Sequence, residues 1–104
     1  MSRPYSPEFK KLIAHSRSYK LGIDLGKTCV KAGLPATYVA EVFDTTRMTI
    51  HSWFRGGVIR STKRRKIEVF IELLEEDMDK GALPAKTLKE ARTYVEDMIG
   101  RPIK

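Results

Sequence analysis

Cysteine is almost missing from this sequence. Cys29 is the only one in 104 residues, so neither an intramolecular disulfide nor a multi-cysteine zinc site can form. Two histidines without a Cys/His cluster give a structural metal no ligand set, and no cofactor is expected. A chain that needs no disulfide suits a reducing compartment, so a cytoplasmic protein of a bacterial or phage-infected cell is expected. No apolar run approaches the roughly 18 residues of a membrane span. The opening MSRPYSPEFKK has no apolar signal core, so secretion is not expected. Proline stands only at positions 4, 7, 35, 84 and 102, and Val/Ile/Thr alternation is lacking, which leaves strands without support. Catalytic signatures are lacking too. There is no GxxxxGK[ST] loop and no nucleophile–base pair. LGIDLGKT at 21–28 looks like a phosphate loop, but its glycines are wrongly spaced and no strand precedes it. An enzyme and a small-molecule substrate are therefore not expected.

What is present is cationic charge, unevenly placed. The chain carries a net charge of +7, and 41% apolar residues suffice for one core, so residues 1–104 read as one domain. Residues 1–66 hold 14 Lys/Arg against 4 Asp/Glu, while residues 67–104 hold 6 against 9. A strongly basic front with a mildly acidic tail suggests a polyanionic partner at the front.

The periodicity predicts an all-α chain of five to six short helices. Ser6-Pro7-Glu8 signals a helix start, with Phe9, Leu12, Ile13 and Ser16 on one face to about 18. A second helix is expected over about 23–32, with Asp24 at its start, Leu25, Cys29 and Ala32 inward, and Gly33 at its end. Pro35 opens a third, Thr45-Thr46 caps a fourth over about 47–55, and Gly56-Gly57 stops it. Ser61-Thr62 caps a fifth to about 80, with Ile67, Phe70, Ile71, Leu74 and Met78 as its stripe. Its basic start and acidic end oppose the helix macrodipole, which hints that the cations serve another task. Pro84-Ala85 begins a sixth, ended by Gly100, whose apolar face holds Leu88, Ala91, Val95 and Met98.

Residues 36–57 read ATYVAEVFDTTRMTIHSWFRGG. Two short helices joined by a tight turn, sharing one apolar pattern, are the signature of a helix-turn-helix. Ala40 is small enough for a close crossing. Asp44 tolerates the positive φ of the turn. Ile50 and Trp53 dock the second helix on the first. Arg47, Met48, His51, Ser52 and Arg55 lie on or near its other face. Trp53 reads as a core anchor rather than a stacking surface, and Phe54 stays open between packing and exposure.

On Val39-Ala40, Phe43-Asp44-Thr45-Thr46-Arg47, Ile50 and Trp53-Phe54-Arg55-Gly56, the stretch resembles the helix-turn-helix of Cro- and lambda-repressor-type phage regulators. Asp44 stands where that family usually has glycine, and Thr45 where it has an aliphatic residue. The resemblance implies a DNA-binding core over 20–66 with its second helix, about 46–55, in the major groove of double-stranded DNA. It implies base contacts from Arg47, Met48, His51, Ser52 and Arg55, arginine matching guanine O6 and N7. Thr37, Thr46 and Thr49 would hold phosphate oxygens, with Arg60, Lys63, Arg64 and Lys66 as a flanking clamp and Lys27 and Lys31 as weaker candidates. Residues 67–104 would complete the core and support a homodimer, with Leu88, Val95, Met98 and Ile99 as candidate contacts.

Blander readings stand beside these. The hairpin can be an ordinary part of a helical bundle. The KRRK run at 63–66 can be a solvated face, and Cys29 a small buried hydrophobe. The acidic Glu75-Glu76-Asp77-Asp79 run reads as solvated surface, as a partner site, or as a brake on nonspecific DNA binding. Two other functions fit the same sequence: a phage DNA-packaging or recombination accessory of small-terminase or excisionase type, and a protein–protein adaptor or inhibitor.

Overall fold

The computed structural model describes residues 7–103, with side chains from Ser18 onward. The Ser6 cap lies outside the described residues, and the Phe9–Leu12–Ile13–Ser16 face outside the described side chains. The fold is all-α. Among the described residues five helices follow one another: α1 (Pro7–Ala32), α2 (Ala36–Val42), α3 (Arg47–Phe54), α4 (Ser61–Asp79) and α5 (Leu88–Ile99).

The first departure from the sequence reading is α1. It runs unbroken through residues 19–22, where two helices were expected. The reason is tertiary. A Cβ on Gly22 would lie 2.1 Å from the Trp53 carbonyl oxygen, and one on Gly26 would lie 3.1 Å from the Phe54 ring. These glycines do not break the helix. They let the end of α3 press against it. Asp24 is accordingly inside the helix, where its backbone carbonyl accepts the Thr28 hydroxyl at 2.8 Å.

The remaining boundaries follow local chemistry. Gly33 at φ 73° and Gly81 at φ 82° end α1 and α4 in the left-handed region. α4 starts at Ser61, but its cap residue is Arg60 and no side chain caps it, so the Ser61-Thr62 cap is corrected. α5 starts at Leu88, not at Pro84-Ala85. Thr87 accepts from the Glu90 backbone N–H, and the Glu90 carboxylate accepts from that of Thr87, a full capping box.

Phe43 sits at the centre of the core with no exposed surface. Its ring meets Trp53 edge-on at 5.7 Å and Phe70 at 5.2 Å, so one side chain joins α2 to α3 and α4. Leu25, Cys29 and Ala32 of α1, Ile67 and Leu74 of α4, and Ala91 and Val95 of α5 close around it. Burial pushes the Cys29 thiol up to about 12, so it stays a neutral, shielded hydrophobe at neutral pH. Ser18 is the one buried polar side chain among the described residues. Its hydroxyl accepts the Ile59 N–H at 2.7 Å and donates to the Gly57 carbonyl at 3.4 Å, tying the α3–α4 loop to α1.

Two contacts fix the relative direction of α1 and α4. Ser18 meets the start of α4 through Ile59, and the Ala32 carbonyl accepts the Ala85 N–H just beyond its end. The two helices therefore run side by side in the same sense. After α5 the chain folds back: Ile103 is buried, its N–H donates to Glu96 at 2.8 Å, and Arg92 donates to its carbonyl. The Ile103 N–H, and then Arg92, hold the Glu96 carboxyl below the usual range.

Candidate nucleic-acid interface

The turn between α2 and α3 has the geometry its residues favour. Asp44 takes φ 51°, a value aspartate tolerates better than most side chains. Thr46 then caps α3, its hydroxyl accepting the Thr49 N–H at 3.2 Å and lying 3.0 Å from the Thr49 hydroxyl. Both threonine hydroxyls are thus engaged with each other and with the helix start.

α3 seats itself through Ile50 and Trp53, which are buried. Trp53 is therefore an anchor, reaching Phe43 from the second helix. Phe54 is half-buried, and its ring covers Gly26 of α1. With that face docked, Arg47, His51 and Arg55 fall four residues apart along the opposite side, all exposed, and Met48 beside them is 80% exposed. Among the described residues the ion pairs are Arg92–Glu96 and Arg101–Glu41, so neither arginine of this row is held by a carboxylate. Ser52 is placed differently from its neighbours. It is half-buried, its carbonyl accepts the Gly57 N–H at 2.7 Å, and a Cβ on Gly57 would meet its hydroxyl at 2.2 Å. Its side chain faces the loop rather than the outward row.

The basic run at the start of α4 divides in two. Lys63 donates to the Phe43 carbonyl at 3.1 Å, and so steadies the turn that precedes α3. Arg64 donates through Nε and Nη2 to the Ile59 carbonyl, both at 3.3 Å. Lys66 is exposed, but its Nζ lies 5.6 Å from the centroid of the Phe43 ring. Arg60 and Arg65 are exposed and have no such tether among the described residues. Arg65 is not among the clamp residues that the resemblance implies. Helical spacing from the buried Ile67 is the signal that finds it. Lys63 and Arg64 stand four and three residues before Ile67, on the inward side, and Arg65 does not. Thr37 is exposed in the first turn of α2.

The four candidate dimer residues do not form one surface. Val95 is fully buried in the core of its own chain and offers nothing to a second copy. Leu88 is 67% exposed, while Met98 and Ile99 are half-buried along a depression between α2, α4 and α5.

Among the described residues no group of His, Cys, Asp and Glu is placed to hold a metal ion, and no helix is long and apolar enough to cross a membrane. No family model, curated protein or solved structure matches this chain.

Proposed function

We propose that this protein binds double-stranded DNA in a sequence-specific manner and regulates transcription as a repressor-type factor. In this reading α2 and α3 form a helix-turn-helix, with α3 in the major groove and α2 across the backbone. Residues 20–66 form the DNA-binding core. The role is one of occupancy, without catalysis, and a dimer on a two-part operator supplies the contact area one short helix lacks.

One observation carries the reading. Docking α3 through Ile50 and Trp53 turns Arg47, Met48, His51 and Arg55 outward as one row, with both arginines free of carboxylate partners among the described residues. A short, rigidly seated helix with two uncommitted guanidinium groups suits base edges, since each can bond bidentately to guanine. Arg60 and Arg65 supply further exposed cations on the following segment, and phosphate contact is the natural use of cations beside such a helix.

Sites are to be selected from random DNA and the winner titrated at several salt concentrations. Arg47→Ala or Arg55→Ala is expected to lose ~1–3 kcal/mol of discrimination at one base pair. An equal loss on every sequence would reassign that arginine to a phosphate. Absence of binding even at low salt would remove the DNA reading and leave a protein-binding role.

A further inference from the structure

The surface between α1 and α4 carries two parallel charge stripes of opposite sign. On α1 the exposed Lys27 and Lys31 stand four residues apart. On α4 the exposed Glu68, Glu72 and Glu75 face them across an open groove of about 380 Å³. Asp24 also lines the groove on the α1 side, so that stripe has one acidic member at its upper end. Despite their proximity, these lysines and glutamates make no ion pair with one another, and among the described residues the ion pairs are Arg92–Glu96 and Arg101–Glu41. Each stripe therefore repeats like charge at helical spacing: Lys27 with Lys31, Glu68 with Glu72. Such repeats weaken an isolated helix. The stripes are flanked by exposed apolar side chains, Val30 at 78% beyond the lysines and Val69 at 44% with Leu73 at 37% beyond the glutamates.

We propose that this face is where two copies of the chain associate, through a two-fold axis that runs along the groove. The pattern is complementary to itself in one arrangement. A two-fold rotation about an axis parallel to the helices exchanges left for right and leaves height unchanged. α1 and α4 run in the same sense and line one groove, so Lys27 and Lys31 of one copy then meet the Glu68, Glu72 and Glu75 stripe of the other, and Asp24 is the one member of the α1 side set against like charge. The same rotation sets Val30 of one copy toward Val69 and Leu73 of the other. An axis across the groove would instead oppose lysine to lysine. A two-fold interface has to use one patch twice, and neighbouring stripes of opposite sign meet that condition where a patch of one sign does not. This face holds none of the α3 row and none of Leu88, Val95, Met98 and Ile99, and it gives Lys27 and Lys31 to the second copy rather than to phosphate.

Charge exchange tests it. The wild-type chain, measured by light scattering over a concentration series at low salt, is expected to approach twice its 11.9 kDa mass and to fall back as salt is raised. The Lys27→Glu/Lys31→Glu variant carries two acidic stripes, and the Glu72→Lys/Glu75→Lys variant two basic ones. Each alone is expected to remain monomeric, and an equimolar mixture to regain the doubled mass. Helical circular dichroism and thermal melts on each variant separate lost association from lost folding. A wild-type chain that stays monomeric throughout the series overturns the proposal. So do folded variants that dimerise alone, and folded variants that fail to recover on mixing.

Discussion

Replacing Trp53 by alanine is expected to destabilise the fold by ~3–5 kcal/mol, the range for truncating a large buried aromatic. The loss has two parts. The residue is 95% buried, so the transfer free energy of the ring is lost, and the surrounding helices relax only partly into the space. The edge-on contact with Phe43 at 5.7 Å goes as well, and Phe43 is the side chain through which α2, α3 and α4 meet. For a chain of this size the melting temperature should fall by on the order of 20 °C, read by far-ultraviolet circular dichroism. Trp53→Phe, which keeps a ring in the site, should recover most of the loss. A fully stable Trp53→Ala chain with weakened DNA binding alone would mean that the ring belongs to the partner's surface.

The second large effect has a sign opposite to what helix propensity gives. Glycine inside a helix is about 1 kcal/mol worse than alanine, so Gly22→Ala would stabilise an isolated α1. In the fold, the new methyl would sit 2.1 Å from the Trp53 carbonyl oxygen. Backbone cannot swing aside as a side-chain tip can, so the end of α3 has to lift from α1. We expect a net loss at or above ~3 kcal/mol, the upper end of overpacking costs. Gly26→Ala is the control. Its methyl would meet the Phe54 side chain, Cγ at 3.1 Å and Cβ at 3.2 Å, contacts that a shift of a few tenths of an ångström relieves. It should stay within about 1 kcal/mol of the parent, propensity gain and packing strain offsetting each other. Equal melting temperatures for the two variants would show that α3 does not rest on Gly22.

These two glycines also mark what could be seen in the sequence. The all-helical character, the cap at Thr46, the positive φ at Asp44 and the inward Ile50–Trp53 pair could all be read from it, because each depends on a few neighbouring residues. α1 could not. Gly22 and Gly26 look like local weakness until the segment near Trp53, thirty residues on, is brought against them. The start of α5 was within reach: Thr87-Leu88-Lys89-Glu90 has the spacing of a capping box, but the proline at 84 drew the boundary too early. In the candidate site, the row on α3 follows from one helix's periodicity. The tethers of Lys63, Arg64 and Lys66 depend on where Phe43 and Ile59 come to lie. The burial of Val95 depends on which faces of α5 its neighbours cover.

The tethered cations at the head of α4 change how the protein should respond to electrolyte. Cation release from DNA counts the phosphates a protein neutralises, at about −0.9 in log K against log salt concentration for each. In the DNA-binding reading Arg47 and Arg55 face bases, and the head of α4 offers five cations to phosphates: Arg60, Lys63, Arg64, Arg65 and Lys66. Three of them already serve a carbonyl or a ring inside the molecule. The slope expected from Arg60 and Arg65 alone is about −1.8 per bound chain, against about −4.5 for all five. A measured slope near the larger value would mean that Lys63, Arg64 and Lys66 leave their partners when DNA arrives, and that the turn before α3 is remade on binding.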